Sequence, residues 1–525
     1  MMFAVTVTVM KAGLKDWIGL AVLALPALLV SIDVSVMILA LPHIGAALGA
    51  DSTQQLWVMD IYGFMLSGFL ITMGTIGDRI GRRKLLMIGG AAFGAASILA
   101  AFSQSAGMLI AARALLGIAG ATLSPSTLAL ISNMFHDHKQ RSFAIGIWLT
   151  CSMGGMALGP VVGGTLLGHF WWGSIFLLAV PVMVLLLILG PFLLPEYRQK
   201  DGERVDLLSV GLSLGAILPI VYGFKEAAKH GFQTLPIVTI LVGLLIGVLF
   251  VLRQQRLSSP LLDLRLFTNS AFSTSLACMF GVTMTGAVML YIAQYLQFVK
   301  GLSPLQAGLW MLPGVIGSMS GMLLSPLIAR RVRPAVLIGA GLILSAAGCV
   351  LLARISPASG LMLLAGGYTL FNLGASPFQS LASDFVVGSA PPEKAGSAAS
   401  MLQTSGEFAF AVGITVLGSL GTVVYRSRVK DTMPVDIPPS VAQASGDSLA
   451  SATTAAEGLS VLAADKLLTR AHEAFTSGLN VVAACCCALM LGSAIIAVIR
   501  FWKKRPIGTS EPQEPGRIST AASEK

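Results

Sequence analysis

The amino-acid sequence predicts an all-α protein that crosses a membrane many times. Three observations carry that prediction: 55% of the 525 residues are hydrophobic, only 11% are charged, and the mean hydropathy is +0.82. In an ordinary soluble domain about a quarter of the residues are charged, so this composition excludes a soluble enzyme. A disordered chain needs low hydrophobicity and is excluded as well. The apolar runs are continuous and do not alternate, which favours helices over membrane β-strands.

The apolar runs divide the chain into fourteen predicted spans. Each run is about as long as the roughly 20 residues that a helix needs to cross the hydrocarbon core. Tryptophans lie near several run ends, where the membrane interface favours them. The six cysteines all fall within apolar runs and are expected to be unpaired small hydrophobic residues. In chain order the predicted spans are 17–41, 56–76, 85–103, 107–131, 142–168, 174–194, 206–224, 234–252, 271–298, 304–328, 335–353, 358–383, 397–425 and 476–502.

Lysine and arginine are distributed unevenly over the turns between these spans. If the N-terminus is cytoplasmic, the inner turns and both tails hold most of the 34 basic residues, and the first three outer turns hold none. Because basic residues favour the cytoplasmic side, both termini are predicted to be cytoplasmic in a multi-pass plasma-membrane protein. The net charge of +10 follows from the same bias, so we expect no nucleic-acid partner.

Two sequence echoes indicate an internal repeat. Residues Gly74–Lys84 follow span two, and Leu327–Arg331 follow span ten in the same inner position. Residues Gly120–Pro125 in span four are echoed by Gly374–Pro377 in span twelve. Two related halves around a central site are a transporter architecture.

The repeat predicts three parts of the chain. Residues 1–200 would form an N-terminal six-helix bundle (spans 1–6), residues 201–265 two inserted helices (spans 7 and 8), and residues 266–525 a C-terminal six-helix bundle (spans 9–14). The last part contains a long outer loop, 426–475. Its proline-containing first half is predicted to be irregular, and Leu459–Phe475 to form an amphipathic helix.

Charged residues inside the spans are the main candidates for function. Asp33 lies about eight residues from the outer end of span one, roughly 12 Å deep at helical rise. Asp60 lies near the outer end of span two, Arg113 in span four and Glu407 in span thirteen. A charge in the bilayer is costly, so these side chains are expected to face a cavity or a partner and to serve proton coupling and cation binding. The alternatives are hydrogen bonding between helices for the buried acids, a wet interfacial position for Asp60, and a purely structural role for Arg113.

Small residues form a stripe on one face of span five. Glycines at four-residue spacing let the backbone of another helix approach closely. A similar stripe lies on span ten, and we expect the two stripes to touch across the halves. The residues are Gly155, Gly159, Pro160, Gly163 and Gly164 in span five, and Gly317, Gly321 and Ser325 in span ten.

The turn after span two combines glycines, basic residues and one acid. Asp78 is expected to bridge to a helix N-terminus or to an arginine in one conformation and to release it in another. Basic residues alone would follow from the cytoplasmic position, but they do not account for the spaced glycines or the acid. The predicted gating residues are Gly74, Asp78, Arg79, Gly81, Arg82 and Arg83.

These motifs resemble those of the major facilitator superfamily. Residues Gly74–Lys84 are similar to its signature between spans two and three. Arg113 with Gly117 and Gly120 resembles its span-four arginine motif, and Gly155–Gly164 resembles the span-five motif of antiporters. Further matches, to the fourteen-helix drug:proton antiporters, are Ser31–Val36, Ala40–Pro42, Trp57–Tyr62, Pro260–Phe267 and Tyr295–Gln297.

The resemblance implies a proton-coupled multidrug efflux antiporter of the bacterial cell or inner membrane. It is nearest to quaternary-ammonium and methyl-viologen pumps, which implies export of lipophilic organic cations such as quaternary ammonium compounds, dyes and viologens. Asp33, Asp60 and Glu407 would lie on the proton and cation pathway, with Arg113 tied to proton coupling. Span ten lacks an acid that some relatives carry there, which we expect to narrow the choice of divalent cations. No cofactor is expected, because the proton gradient drives transport, and the chain is expected to act as a monomer.

The sequence leaves two other functions to compare with cation export. A superfamily member that exports a different solute, such as a tetracycline-like drug, a fatty acid or a metabolite, would share the fold, but a substrate anion would need more cavity cations than Arg113. A membrane-embedded enzyme would need a catalytic or metal-ligand cluster within the spans, and the six histidines lie at span ends or in loops. No Gly-x-x-x-x-Gly-Lys-Ser/Thr loop is present, which disfavours an ATP-driven pump.

Overall fold

The computed structural model describes residues 12–135, 137–196, 198, 206–230, 233–257, 260, 264–387, 395–433 and 437–502. The basic C-terminal tail used for the predicted orientation, Pro434 of the predicted outer loop, and residues 261–263 of the Pro260–Phe267 match lie outside these ranges. Within them the chain is helical and contains no β-strand.

Eighteen α-helices are described. Short 3-10 segments (Leu264–Thr268, Thr285–Ala287) and a π-helical turn (Tyr295–Val299) lie beside or between α10, α11 and α12. The helices are α1 Leu14–Leu48, α2 Ser52–Ile80, α3 Arg82–Ala101, α4 Ala106–Met134, α5 His138–His169, α6 Ser174–Leu177, α7 Ala179–Leu193, α8 Leu207–His230, α9 Thr234–Arg256, α10 Ser270–Met284, α11 Val288–Gln294, α12 Pro304–Ile328, α13 Pro334–Leu352, α14 Leu361–Val387, α15 Ala395–Thr432, α16 Pro439–Asp447, α17 Leu449–Ala456 and α18 Val461–Phe501.

Every predicted span coincides with a helix or with helices in series. Span six is formed by α6 and α7, and span nine by α10, α11 and the turns around them. Among the described residues twelve helices are long and apolar enough to cross a membrane, and bent α5 makes thirteen. The all-helical membrane architecture is therefore confirmed, while the count of fourteen stays a prediction.

Local sequence accounts for several helix ends. The Asp51 side chain accepts a hydrogen bond from the Gln54 backbone N–H at 2.8 Å, and the Gln54 side chain accepts one from the Asp51 N–H. Ser303 and Gln306 form the same reciprocal cap before α12. Such caps satisfy backbone donors that the first helical turn leaves unpaired, and they fix the start of both helices at the predicted outer end.

The helices pack as two groups joined by a helix pair. In one group α1 packs on α5, and α4 on α2 and α3; in the other α14 packs on α12 and α13, and α18 on α13 and α15. The groups meet along two seams, α2 against α15 and α5 against α12. Helices α8 and α9 pack on each other, and α8 also contacts both α2 and α15. The inserted pair therefore lies against one of the two seams.

The predicted outer loop differs from the expectation in its first half. Two helices, α16 and α17, replace the predicted irregular segment, because Pro439 occupies the first turn of α16, where its missing N–H costs nothing. The predicted second-half helix is present, but it is the beginning of α18 and continues into the membrane. Ile437, Ala456 and Leu467 form the core of this part, residues 437–475, which we call the outer cap.

Candidate site: charged residues at the junction of α1, α2, α4, α8 and α15

Asp33 of α1 and Arg113 of α4 form an ion pair, with 2.6 Å between Asp33 Oδ2 and Arg113 Nη1. The guanidinium also donates from Nε to the Val58 carbonyl at 3.2 Å and lies over the Tyr62 ring, 4.5 Å from its centroid. The Arg113 side chain is 1% exposed, whereas that of Asp33 is 12% exposed. Arg113 is thus fixed from three sides, and Asp33 is the partner with room to change its contacts.

Glycine makes this arrangement possible on α4. A Cβ added at Gly117 would lie 2.5 Å from the Tyr62 carbonyl oxygen and 2.8 Å from the Met65 Cβ. Only a residue without a side chain lets α4 approach α2 this closely, and that approach brings Arg113 onto the Tyr62 ring.

Asp60 is buried and has a partner that the sequence analysis did not identify. Lys225 of α8 places its Nζ 2.8 Å from Asp60 Oδ2 and 2.9 Å from Oδ1. The Thr415 hydroxyl of α15 donates to Asp60 Oδ2 at 2.6 Å. The Lys225 Nζ lies 4.0 Å from the centroid of the Trp57 ring. Three helices and one aromatic face therefore enclose a single ion pair, and both charged side chains are fully buried.

This pair corrects two expectations. Span seven was predicted to end at 224, which put Lys225 in an outer turn, but α8 continues to His230. Asp60 is not a wet interfacial residue, because it is 1% exposed. The sequence did carry one signal: a lysine directly after an apolar run, in a chain with only 11% charged residues.

Glu407 lies on α15 where that helix meets α2. A Cβ added at Gly63 would lie 3.7 Å from the Glu407 backbone oxygen and 3.2 Å from the Ala411 Cβ. The Glu407 side chain is partly buried, and within the described ranges it has no hydrogen bond or ion pair with another side chain.

Tyr62 lies under the Arg113 guanidinium, and its neighbour on α2, Gly63, faces the Glu407 backbone. Its hydroxyl is buried and has no hydrogen-bond partner among the described residues. A Cβ added at Gly120 would lie 3.0 Å from that hydroxyl, so the phenol reaches across to α4. The Asp33–Arg113 pair and Glu407 thus both lie near this part of α2, and Asp60 belongs to a separate network with Lys225.

The predicted contact between the two glycine stripes is wrong. Cβ atoms added at Gly155, Gly159 and Gly163 would meet α1 at Leu28 and Ser31, at Ser35, and at Val36 respectively. The stripe on span ten faces α14: a Cβ at Gly317 would meet Thr369, and one at Gly321 would meet Ser376. Small residues specify close packing but not the partner, and each stripe packs within its own group of helices.

The seam between α5 and α12 uses other residues of the same motif. A Cβ added at Gly164 would lie 2.4 Å from the Leu305 Cα, and one at Gly308 would lie 2.5 Å from the Pro160 carbonyl oxygen. These contacts occupy the outer ends of both helices in the predicted orientation. Spans five and ten therefore do touch, as expected, but through residues that lie beside the glycine stripes and not through the stripes themselves.

Pro160 has a second effect within α5. A proline has no N–H, so it cannot bond the carbonyl of Met156. The Ser35 hydroxyl of α1 donates to that carbonyl at 3.0 Å. The helix bends by 42° between Met156 and Leu158. The bend and its compensating hydrogen bond fix α5 to α1.

The turn after α2 holds its acid locally. Asp78 pairs with Arg82 one helical turn later, with 2.7 Å between Oδ1 and Nη2. This is a bridge to an arginine of the kind expected, and its release in another conformation stays a prediction. Arg79 is exposed, and a Cβ at Gly74 would meet open space.

Arg83 connects the same turn to the end of α7. Its Nη1 donates to the carbonyls of Pro191 and Leu194 at 3.2 and 3.0 Å, and its Nε lies 3.5 Å from Glu196 Oε2. Gly81 has a φ of +112°, and a Cβ there would lie 2.4 Å from Glu196 Oε1. The positive φ therefore favours glycine at this position, while the flexible Glu196 carboxylate that a Cβ would meet can move away. Glu196 was not identified from the sequence.

A cavity of about 1050 Å³ opens beside the α2–α15 seam, at the predicted inner half. Its walls come from α2, α8, α9, α10 and α15 and are almost entirely apolar. Phe280 and Phe408 contribute aromatic faces, and Ser67 and Thr404 are among the few polar residues. Of α15, the lining includes Thr404 and Phe408, which flank Glu407 in the chain.

The described residues offer no group of three or more His, Cys, Asp or Glu side chains that could hold a metal ion. The six cysteines are free thiols, as expected. The chemistry of the site therefore consists of ion pairs, hydroxyls and aromatic faces within a membrane protein.

Comparison with known proteins agrees with this architecture. The profile described as Major Facilitator Superfamily matches residues 23–414. The chain is 40% identical over 489 residues to the multidrug efflux pump LfrA of Mycolicibacterium smegmatis, covering 93% of this chain and 96% of that protein. It is 34% identical to the methyl viologen resistance protein SmvA of Salmonella typhimurium, covering 88% and 93% of the two chains.

A solved structure supports the fold alone. A bacterial homologue of the human lysosomal transporter Spinster superposes with a TM-score of 0.68 at 14% identity, covering 94% of this chain and 99% of the other. The family match spans most of the chain, and two relatives exceed 30% identity over nearly their whole length. The chain therefore belongs to the Major Facilitator Superfamily and is a multi-pass membrane transporter.

Proposed function

We propose that the chain is a proton-coupled efflux antiporter for lipophilic organic cations such as quaternary ammonium compounds, dyes and viologens. The observation that carries the proposal is the position of Glu407, an acid within a membrane helix that has no countercharge among the described residues. An ionisable group in such a place is costly, and a transported proton or cation offsets that cost.

The surroundings of Glu407 suit a flat or lipophilic cation. The adjoining cavity is apolar and large enough for a drug-sized molecule, and its phenylalanines offer ring faces to a positive charge. One carboxylate can hold a proton or neutralise a cation, but not both, so binding of the cation and release of the proton are linked. Methyl viologen is an aromatic dication, and resistance to it is part of the name of a relative.

Asp33 provides a second proton site in this proposal. Protonation of its carboxylate would break the 2.6 Å pair with Arg113, while Arg113 stays held by the Val58 carbonyl and the Tyr62 ring. The Arg113 partner of Asp33 lies over the Tyr62 ring, and the next residue of α2, Gly63, faces the Glu407 backbone. We therefore expect a change of charge at one acid to alter the field at the other.

The proposed transport cycle moves residues 1–200 against residues 266–525, with residues 201–265 as an insertion. Both termini would be cytoplasmic in a bacterial plasma membrane, and the protein would act as a monomer without a cofactor. Basic residues on the predicted inner side support this orientation. The two seams then close the outer side, and the apolar cavity lies toward the cytoplasm.

Uptake into inverted membrane vesicles tests the proposal. We expect ethidium and methyl viologen to accumulate when a proton gradient is imposed, and the gradient to dissipate in step with the substrate. A protonophore should abolish uptake. Asp33→Asn and Glu407→Gln should reduce it, while Glu473→Gln, a half-exposed acid of the outer cap, serves as the matched control.

The outcomes separate the alternatives. Uptake that needs ATP and ignores the protonophore would refute proton coupling. Proton-driven uptake of a tetracycline-like drug, a fatty acid or a neutral metabolite, without uptake of either cation, would favour the other superfamily function.

A further inference from the structure

The Lys225 side chain is completely buried, and it lies on the inserted helix α8. Its ion pair with Asp60 is fully buried. The Trp57 ring lies over the Lys225 ammonium, and the Thr415 hydroxyl donates a hydrogen bond to the Asp60 carboxylate. A buried pair of this kind holds together only while both partners and their hydrogen bonds are in place.

The pair lies within the α2–α15 seam. Below it, toward the predicted inner side, a Cβ at Gly63 would meet the Ala411 Cβ at 3.2 Å; above it, a Cβ at Gly418 would meet the Leu56 Cδ2 at 2.8 Å. The seam is therefore closed on both sides of Asp60. If α2 and α15 separate, Asp60 loses Thr415 and water reaches both charges.

The inserted helix is also anchored in place around Lys225. Val221, one turn earlier, packs with Phe64 of α2 and Ala411 of α15. A Cβ at Gly223 would meet Pro236 and Ile240, so α9 supports this end of α8. Lys225 thus lies on a helix that packs against α2, α9 and α15, and this packing fixes its position at the seam.

We propose that Lys225 is a positioning residue that locks the outer side: its ion pair with Asp60 ties the inserted helices to the α2–α15 seam and must become hydrated or broken when that seam opens. The inference rests on the alternating-access transport proposed above. It gives the inserted pair a role in the cycle and gives Asp60 a structural partner, in place of a direct role in cation binding.

Disulfide cross-linking of the seam tests the lock. Leu56→Cys and Gly418→Cys are introduced in a background whose six native cysteines are replaced by serine or alanine, and the cross-linked fraction reports the closed seam. Lys225→Met or Asp60→Asn alone leaves one buried charge unpaired, which water in the open seam relieves. We expect each to shift the closed-to-open ratio by roughly tenfold or more toward open.

The double variant, Lys225→Met with Asp60→Asn, distinguishes a lock from ordinary packing. It removes both charges, so its cross-linked fraction should lie closer to that of the unmodified pair than either single variant does. Lys300→Met is the matched control, since Lys300 binds the Pro357 carbonyl at 2.7 Å and lies outside this seam. Monodisperse elution in size-exclusion chromatography shows that each variant is folded.

Two results would overturn the inference: unchanged cross-linking in both single variants, or a loss in the double variant equal to the product of the single losses. Cross-linking does not depend on the substrate. Failure of proton-driven uptake in the vesicle assay would therefore refute the proposed function, while the cross-linking result would still decide whether Lys225 holds the seam.

Discussion

Replacement of Gly159 by alanine tests the contact between α5 and α1. An added Cβ would lie 2.5 Å from the Ser35 Cβ and 2.7 Å from its Oγ, so the helices must move apart. Overpacking of this kind costs about 1–3 kcal/mol. The movement also weakens the hydrogen bond from Ser35 to the Met156 carbonyl, which contributes about 1 kcal/mol.

Gly146→Ala is the matched control, because a Cβ at Gly146 would meet nothing within 4 Å on the same helix. Both variants gain about 1 kcal/mol of helix propensity, so this contribution cancels between them. The expected difference in unfolding free energy is about 2–4 kcal/mol in favour of Gly146→Ala.

Thermal unfolding of the purified protein in detergent, followed by the loss of the monodisperse peak, measures this difference. Gly159→Ala should lower the midpoint by a few degrees relative to Gly146→Ala, and Ser35→Gly combined with Gly159→Ala should recover part of the loss by removing the clashing side chain. Equal midpoints for Gly159→Ala and Gly146→Ala would show that α1 does not pack against this face of α5.

Three further variants address the charged site, and a fourth, Tyr291→Phe, serves as a comparison for Tyr62→Phe. Asp33→Asn should abolish cation export while the protein remains in the membrane, because the amide cannot exchange a proton; normal resistance to monovalent cations would remove its proposed role. Glu407→Gln should impair a dication such as methyl viologen more than a monocation, as one of two carboxylates is lost; side-by-side uptake decides, and equal losses would make Glu407 a general proton-coupling residue. Tyr62→Phe removes a hydroxyl without a partner in the described ranges and should change stability by less than about 1 kcal/mol, whereas Tyr291→Phe loses a 2.8 Å bond to an α15 carbonyl and should cost about 1–2 kcal/mol. Thermal unfolding measures both losses. A midpoint for Tyr62→Phe as low as that for Tyr291→Phe, or lower, would contradict the hydrogen bonding described for the two hydroxyls.

The spans and the charged positions could be predicted because both follow from local composition. A continuous apolar run has few structural options in a membrane, and an acid such as Asp33 inside a run stands out against it. The partner of Asp60 could not be found this way, because Lys225 is 165 positions further along the chain. Its burial depends on where the inserted helices dock, which no local pattern reveals.

The glycine stripe shows the same limit. Spacing along span five identified the face that packs closely, and the structure confirms a close contact there. The partner was predicted wrongly because Ser35 and Val36 of span one are as compatible with a glycine face as Gly317 and Gly321 of span ten. Helices α16 and α17 of the outer cap were missed for another reason. The prolines of this segment indicate breaks in a helix, but Pro439 occupies the first turn of α16, where a proline is compatible with a helix start.

The length of helix α18 has a consequence for experiments on the predicted outer side. Its 41 residues span about 60 Å, twice the roughly 30 Å thickness of the hydrocarbon core. The outer cap is built on the extra length, with Ile437 and Ala456 packed against Leu467 of that helix. Because α18 is continuous from Val461 to Phe501, a tilt of its membrane part would move the cap with it. In the predicted orientation, an antibody fragment bound to the cap would therefore follow the motion of α18 from outside the membrane.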